Sequence, residues 1–259
     1  MSRGIAVLAF LVASSAAGVA RAEEEESLLS ILLGGTGLTP TPKPSAFVLF
    51  SGQEGDLSQS RSSGGFKLRP FRPLGEDRFI LAGVSGGGVW RERREVASPR
   101  ESFRQNSYWR LFAGVEAPIA SGTFSFLIGP EFFREMALDR NGAVVRNERR
   151  AGVRLQIDWW SHPWPSALVT ASLAAGSAKL DLWARASFGW QIGIGEETWG
   201  FLGPEASFSV HPRGAWTNLG AHWSEFAWRG YRIRASAGLS LERGKKAGPY
   251  VAMTSYRAF

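Results

Sequence analysis

The chain has 259 residues, no cysteine and a formal net charge of +7. A β-barrel absorbs that length as one domain, and the missing cysteines exclude both a disulfide scaffold and a thiolate metal site. Beyond the first residues no run approaches the ~18 apolar residues of a spanning helix, so alternating strands are the only candidate membrane-crossing elements.

In chain order, Arg3 precedes the apolar run Ile5 to Val19, and Ala20-Arg21-Ala22 supplies a small-x-small site, so residues 1–22 read as a cleaved secretory signal. Removing Arg3 and Arg21 takes 30 basic residues to 28 against 23 acidic ones, a balance of +5. An exported chain does not meet nucleic acid, and this charge is better matched to lipopolysaccharide phosphates or an acidic polymer. Residues 23–44 combine Glu23 to Glu26, the apolar patch Ser27 to Leu33 and Pro40, Pro42 and Pro44. They read as a periplasmic leader on a stiff spacer.

From residue 45 the pattern predicts twelve strands, with ten as the alternative count, in an antiparallel transmembrane β-barrel. The ranges are 45–53, 63–74, 78–92, 107–120, 122–135, 147–160, 165–178, 181–192, 197–209, 216–228, 230–242 and 249–259. An even count puts both chain ends in the periplasm, with the shorter connections on that side and the longer ones outside. The spacing agrees, apart from a tight connection at Lys179-Leu180 on the outer side. Gly86-Gly87-Gly88 in the third strand predicts a bulge or a close approach from inside the lumen. In the sixth strand Ala151, Val153, Leu155, Ile157 and Trp159 alternate with Arg150, Gly152, Arg154, Gln156 and Asp158. A one-residue slip there would carry charges into lipid, at about 2–4 kcal/mol for an Arg at the bilayer midplane.

The alternation is longest near the end. Tyr231, Ile233, Ala235, Ala237, Leu239 and Leu241 interleave with Arg232, Arg234, Ser236, Gly238 and Ser240. That length suits a tilted strand crossing a bilayer, which needs about 9–11 residues. Tyr250 to Phe259 then returns as a last strand, ending on an aromatic like the insertion signal of outer-membrane barrels. Of eleven tryptophans, Trp90, Trp109, Trp183 and Trp216 fall at predicted outer ends, and Trp159, Trp160, Trp190, Trp199 and Trp228 at inner ends. Aromatic girdles at the two headgroup levels have this distribution, and Trp90, Trp109, Trp159, Trp160, Trp190, Trp216 and Trp228 are the candidate members. Trp183, Trp199, Trp216 and Trp228 also sit in the polar register, so facing lipid requires a bulge.

The polar register assigns Arg110, Glu116, Glu131, Arg154, Asp158, Asp181, Arg185, Glu205, Arg232 and Arg234 to the lumen. Twelve strands lie between the filled small barrels and the open large ones, so the pore is expected to be narrow or partly plugged. Two readings stand side by side: an ion network that holds the barrel round, and a polar track for a glucan chain formed by Arg154, Asp158, Arg185, Glu205, Arg232 and Arg234. His222 and Ser224 are the one pair spaced like the His and Ser of outer-membrane lipid deacylases, but their register turns them away from lipid. Nothing fixes a glycosidase carboxylate spacing, His162, His211 and His222 are scattered, and no cofactor motif is present.

Leu182-Trp-Ala-Arg-Ala-Ser-Phe-Gly-Trp190, Gly200-Phe-Leu-Gly-Pro-Glu-Ala-Ser-Phe208, Leu219-Gly220, Ala235 to Leu239 and Gly248-Pro-Tyr250 together resemble the cellulose biosynthesis protein BcsS family of alphaproteobacteria. The resemblance extends from about Phe47 to Phe259, with residues 180–259 the specific part. Arg257 departs from it, because an insertion signal has an apolar residue two before the terminal Phe. The resemblance implies an outer-membrane barrel associated with bacterial cellulose synthesis and carries over no catalytic residue; the expectation is a non-enzymatic barrel of a Gram-negative outer membrane that passes or anchors cellulose or another glucan beside the synthase machinery. The alternative is a general small-solute porin or structural barrel; a hydrolase using His222 and Ser224 is the third reading.

Overall fold

The computed structural model describes residues 47–259 except 57–58, 72–78, 93–102, 120, 140, 195–196, 213 and 243–245. The expected signal and leader therefore lie outside the described residues. Twelve strands follow one another: β1 (Phe47–Asp56), β2 (Gln59–Phe71), β3 (Phe79–Glu92), β4 (Phe103–Ile119), β5 (Gly122–Leu138) and β6 (Val144–Trp164). The second half is β7 (Ala167–Gly176), β8 (Asp181–Ile194), β9 (Glu197–His211), β10 (Gly214–Trp228), β11 (Tyr231–Glu242) and β12 (Gly248–Ala258). Each pairs antiparallel with its chain neighbours, and β1 pairs with β12 to close the barrel.

Several strands are longer than the alternation predicts. Glu54 and Gly55 still pair with Arg61 and Ser60, where the sequence reads as loop. At the rim both faces of a strand meet water, so the ladder continues although the apolar-polar rhythm has stopped. On the side of the termini, Pro165-Ser166 and Arg229-Gly230 are two-residue turns. Arg229 and Gly230 both have positive φ (49° and 77°), the geometry of a hairpin turn whose twist matches its strands. The expected tight connection at Lys179-Leu180 is instead the four residues 177–180, with Leu180 at φ 52°.

The outer face carries Leu111, Val153, Leu239 and Val251, all exposed, so the apolar register faces outward as a lipid-facing wall requires. Closure is secured at the last residue. The Phe259 N–H donates to the Phe47 carbonyl at 2.9 Å, and their rings lie 5.7 Å apart. Arg257 shares the outward register of Leu49, its partner across the seam. Its guanidinium lies 4.9 Å over the Phe259 ring and 5.4 Å over Tyr231. Aromatic faces thus receive the charge at the rim, which lets Arg257 occupy an outward position.

The glycine run is a close approach with no bulge. β3 pairs without a register shift from Gly86 to Gly88. A Cβ on Gly87 would lie 2.6 Å from the Tyr108 hydroxyl, and one on Gly86 would lie 3.0 Å from the Trp109 ring. The missing side chains make room for the aromatics of β4 on both faces.

Candidate functional site: the barrel interior and its mouth

Ten charged residues were expected on the lumen face, six of them as a glucan track; of the six, Asp158 stands apart beside Lys67 and Gln156, and the other five fall into three separate groups. In the first, Arg110 Nε donates to Glu131 Oε1 at 2.7 Å, and Arg154 Nη1 reaches both Glu131 (3.4 Å) and Asp181 (3.3 Å). Glu131 is 2% exposed. A Cβ on Gly176 would sit 2.5 Å from Asp181 Oδ1 and from Glu131 Oε2, so the cluster occupies the space this glycine leaves.

The second group centres on Glu205. Arg185 Nη2 donates to Oε2 at 2.7 Å, Arg234 Nη2 binds the same oxygen, Ser236 Oγ donates at 3.2 Å, and the Tyr250 hydroxyl reaches Oε1 at 3.4 Å. Two guanidiniums against one carboxylate leave an excess positive charge, and Arg234 shares it with Thr170 Oγ1 at 3.3 Å. Arg185, Glu205 and Arg234 thus belong to one cluster, whereas Arg154 belongs to the first.

The third group lies nearer the termini, where β10 carries a bulge between Trp223 and Phe226. Glu225, at φ 63°, turns inward beside Ser224, and the Tyr256 hydroxyl donates to its carboxylate at 2.5 Å. Arg232 donates to the Glu225 carbonyl at 3.1 Å. Beyond the bulge the register is reversed, which brings Trp228 to the outside. Gly200 is required alongside: at φ 123° a Cβ would be 2.3 Å from the Ser224 carbonyl.

Trp109, Trp159, Trp190, Trp199 and Trp228 are exposed. Two candidate girdle residues point the other way. Trp160 shares the register of Arg154 and Asp158 and lies 6.1 Å from the His162 ring and 6.5 Å from Tyr256. Trp216 is 7% exposed, with the Arg61 guanidinium 5.5 Å over its ring. No bulge intervenes to turn either outward. The side chain of Trp90 lies outside the described residues.

Strands that are not neighbours meet inside, in one case from opposite walls. β12 is six strands from β6 around the barrel, yet Tyr256 contacts Trp160 edge-on. His162 of β6 lies 5.2 Å from Phe201 of β9, and Lys67 of β2 reaches Asp158 of β6 at 4.0 Å. Sequence reasoning missed Lys67, Tyr256 and Phe201, because alternation says which residues face inward but not which meet across the lumen.

His222 and Ser224 are 1% and 2% exposed. The Phe188 carbonyl can only accept, so His222 Nε2 (3.2 Å away) carries the proton, and Ser224 Oγ then donates to Nδ1 at 2.7 Å. A nucleophile and base have this geometry, but the pair is closed off, and the His222 ring fills the space beside Gly189.

At the mouth opposite the termini, Lys179 of the 177–180 turn lies 5.2 Å over Phe133. Burial first, and then the neighbouring Arg61 charge, push its ammonium down to about 8.

No curated protein matches the chain. The β domain of the Bordetella autotransporter BrkA is 12% identical, with 83% of this chain and 99% of that one covered at a TM-score of 0.51. LpxR from Salmonella typhimurium is 8% identical, covering 82% and 100% at 0.50. The translocator domain of the autotransporter NalP from Neisseria meningitidis is 13% identical, covering 82% and 88% at 0.45. At such identities the likeness to the first two is one of fold alone, a β-barrel. The family model for cellulose biosynthesis protein BcsS matches residues 48–259.

Proposed function

Because this chain belongs to the cellulose biosynthesis protein BcsS family, and its barrel places it in the outer membrane, we propose that it is a non-enzymatic accessory of cellulose secretion that anchors the polymer at the outer-membrane surface. The observation that carries the choice of anchoring over passage is the Trp160–Tyr256 contact between opposite walls. The Trp160 and Tyr256 centroids, 6.5 Å apart across the lumen, are at packing distance, and the His162–Phe201 contact at 5.2 Å narrows the same level, which opposes passage of a chain of sugar rings there. The lumen residues expected to form a glucan track, Arg154, Asp158, Arg185, Glu205, Arg232 and Arg234, hold other protein groups instead. They keep the wall in shape, and the glucan contact belongs at the mouth. The enclosure of His222 and Ser224 supports the absence of hydrolysis.

Planar-bilayer conductance beside cellulose retention in a deletion strain tests this reading. The folded protein should conduct poorly, and Trp160→Ala with Tyr256→Ala should raise its conductance. Deletion should release cellulose from the cell surface. Porin-like conductance of the unaltered protein, untouched by added cello-oligosaccharide, together with normal cellulose retention, would instead make it a general pore.

A further inference from the structure

A cavity of about 170 Å³ opens at the mouth opposite the termini. Arg61 of β2, Arg104 of β4, Arg150 of β6 and Lys179 line it, with His211 of β9, and Glu135 of β5 is the carboxylate among them. Glu135 is already held by Arg104 at 3.7 Å and Arg146 at 3.4 Å. Arg150 pairs with Glu148 at 2.6 Å, while Arg61 is 3.7 Å from Glu54 and rests on Trp216. Among the described residues no carboxylate lies within ion-pair distance of Lys179 Nζ, which rests over Phe133. Cations therefore outnumber anions around an enclosed space, where low-dielectric walls focus their field.

All these strand residues share the inward register, so the cavity lies inside the rim. The wall separates it from lipopolysaccharide phosphates, and its occupant must enter from solvent. We propose that this mouth binds an anionic group, a carboxylate or phosphate, carried on a saccharide, with Arg61 and Lys179 as its donors. That the carrier is a saccharide rests on the anchoring function proposed above; the anion preference rests on the cavity alone. The Arg61 guanidinium, over the indole and 3.7 Å from Glu54, beyond hydrogen-bond distance, can turn its N–H groups to an oxyanion, and the Lys179 ammonium adds charge without a competing carboxylate.

The test is calorimetric titration of the detergent-folded full chain with carboxymethylated cello-oligosaccharide, the unmodified oligosaccharide and inorganic phosphate. The carboxymethylated chain should bind at least about tenfold tighter than the neutral one, the loss of one charged hydrogen bond. Arg61→Gln and Lys179→Gln should each weaken it about tenfold, and Lys179→Arg should retain it. Lys179 is faced by Arg61, Arg110, Glu131, Asp181 and the cavity groups Arg104, Glu135, Arg150 and His211. Carboxylates and guanidiniums do not titrate between pH 7 and 9, so affinity should fall through about pH 8 as Lys179 loses its proton, and stay level in Lys179→Arg. Heat-modifiability on gels confirms that each variant is folded. Equal binding of neutral and carboxymethylated chains, or binding indifferent to both Gln variants, overturns the site. Phosphate binding as tightly as the carboxymethylated chain overturns the saccharide carrier and leaves the anion cavity standing. Loss of cellulose retention on deletion is read separately, so the two proposals fail by different measurements.

Discussion

The middle of the lumen and its mouth are built from the same residue types and differ in how closely carboxylates match the cations, Arg61 and Lys179 at the mouth being the less closely matched. Around Glu205 the carboxylate oxygens receive two guanidiniums, a serine and a tyrosine. At the mouth Arg61 lies over an indole with Glu54 at 3.7 Å, beyond hydrogen-bond distance, and Lys179 lies over a phenyl ring. A cation whose donors already close on a carboxylate gives a ligand nothing new, since binding would have to break what holds the wall. A cation held by an aromatic face keeps its donors. Arginine content alone therefore does not mark a glycan track; the partner of each arginine does.

Removing one member of a matched cluster tests this comparison most strongly. Glu205→Ala leaves Arg185 and Arg234 facing each other in the interior, and loss of one partner of a buried pair costs about 3–5 kcal/mol. The urea midpoint of the folded barrel should drop accordingly, whereas Arg61→Gln at the mouth should leave it near the original value. Equal midpoints for the two variants would erase the distinction between middle and mouth.

The strand count, the apolar outer face and the assignment of Arg154, Glu205 and Arg234 to the lumen were legible in the sequence, because alternation at period two fixes which face each side chain takes. The partners were not legible. Arg185 and Glu205 lie on adjacent strands and could be guessed, but Trp160 and Tyr256 meet from opposite sides of a closed wall, which strand pairing alone does not determine. The Trp228 register was legible only as a conflict. The bulge at Ser224-Glu225 resolves it by spending two consecutive residues on the inside, and no proline or glycine in that stretch announces it. Strand ends were the least legible part, since the rim needs hydrogen-bonded backbone but no hydrophobic rhythm.

A middle-sized effect separates structure from chemistry at the His222–Ser224 pair. Ser224→Ala leaves the His222 Nδ1 acceptor buried without its donor, at about 1–3 kcal/mol. A lower urea midpoint is the expected outcome. An unchanged midpoint combined with lost release of acyl chains from lipid would make Ser224 a nucleophile and bring hydrolysis back.

The smallest effect is the pH dependence of stability that Lys179 confers, and its sign sets it apart from ligand binding. The folded-state ammonium titrates at about 8, below the 10.5 of a free lysine. Between those values the unfolded chain holds a proton that the folded chain has released, so the unfolded state binds more protons and stability rises with pH. Below pH 8 both states are protonated, and the cost of burying the charge is fully present. Unfolding midpoints taken at pH 7.5 and 9.5 should therefore increase slightly with pH, and Lys179→Met should remove that part of the increase by removing the group. Anion binding at the mouth is expected to move oppositely, weakening over the same interval because the charge it uses disappears. If both quantities moved together, Lys179 would not be the shared cause, and the mouth would owe its affinity to Arg61 and its neighbours alone.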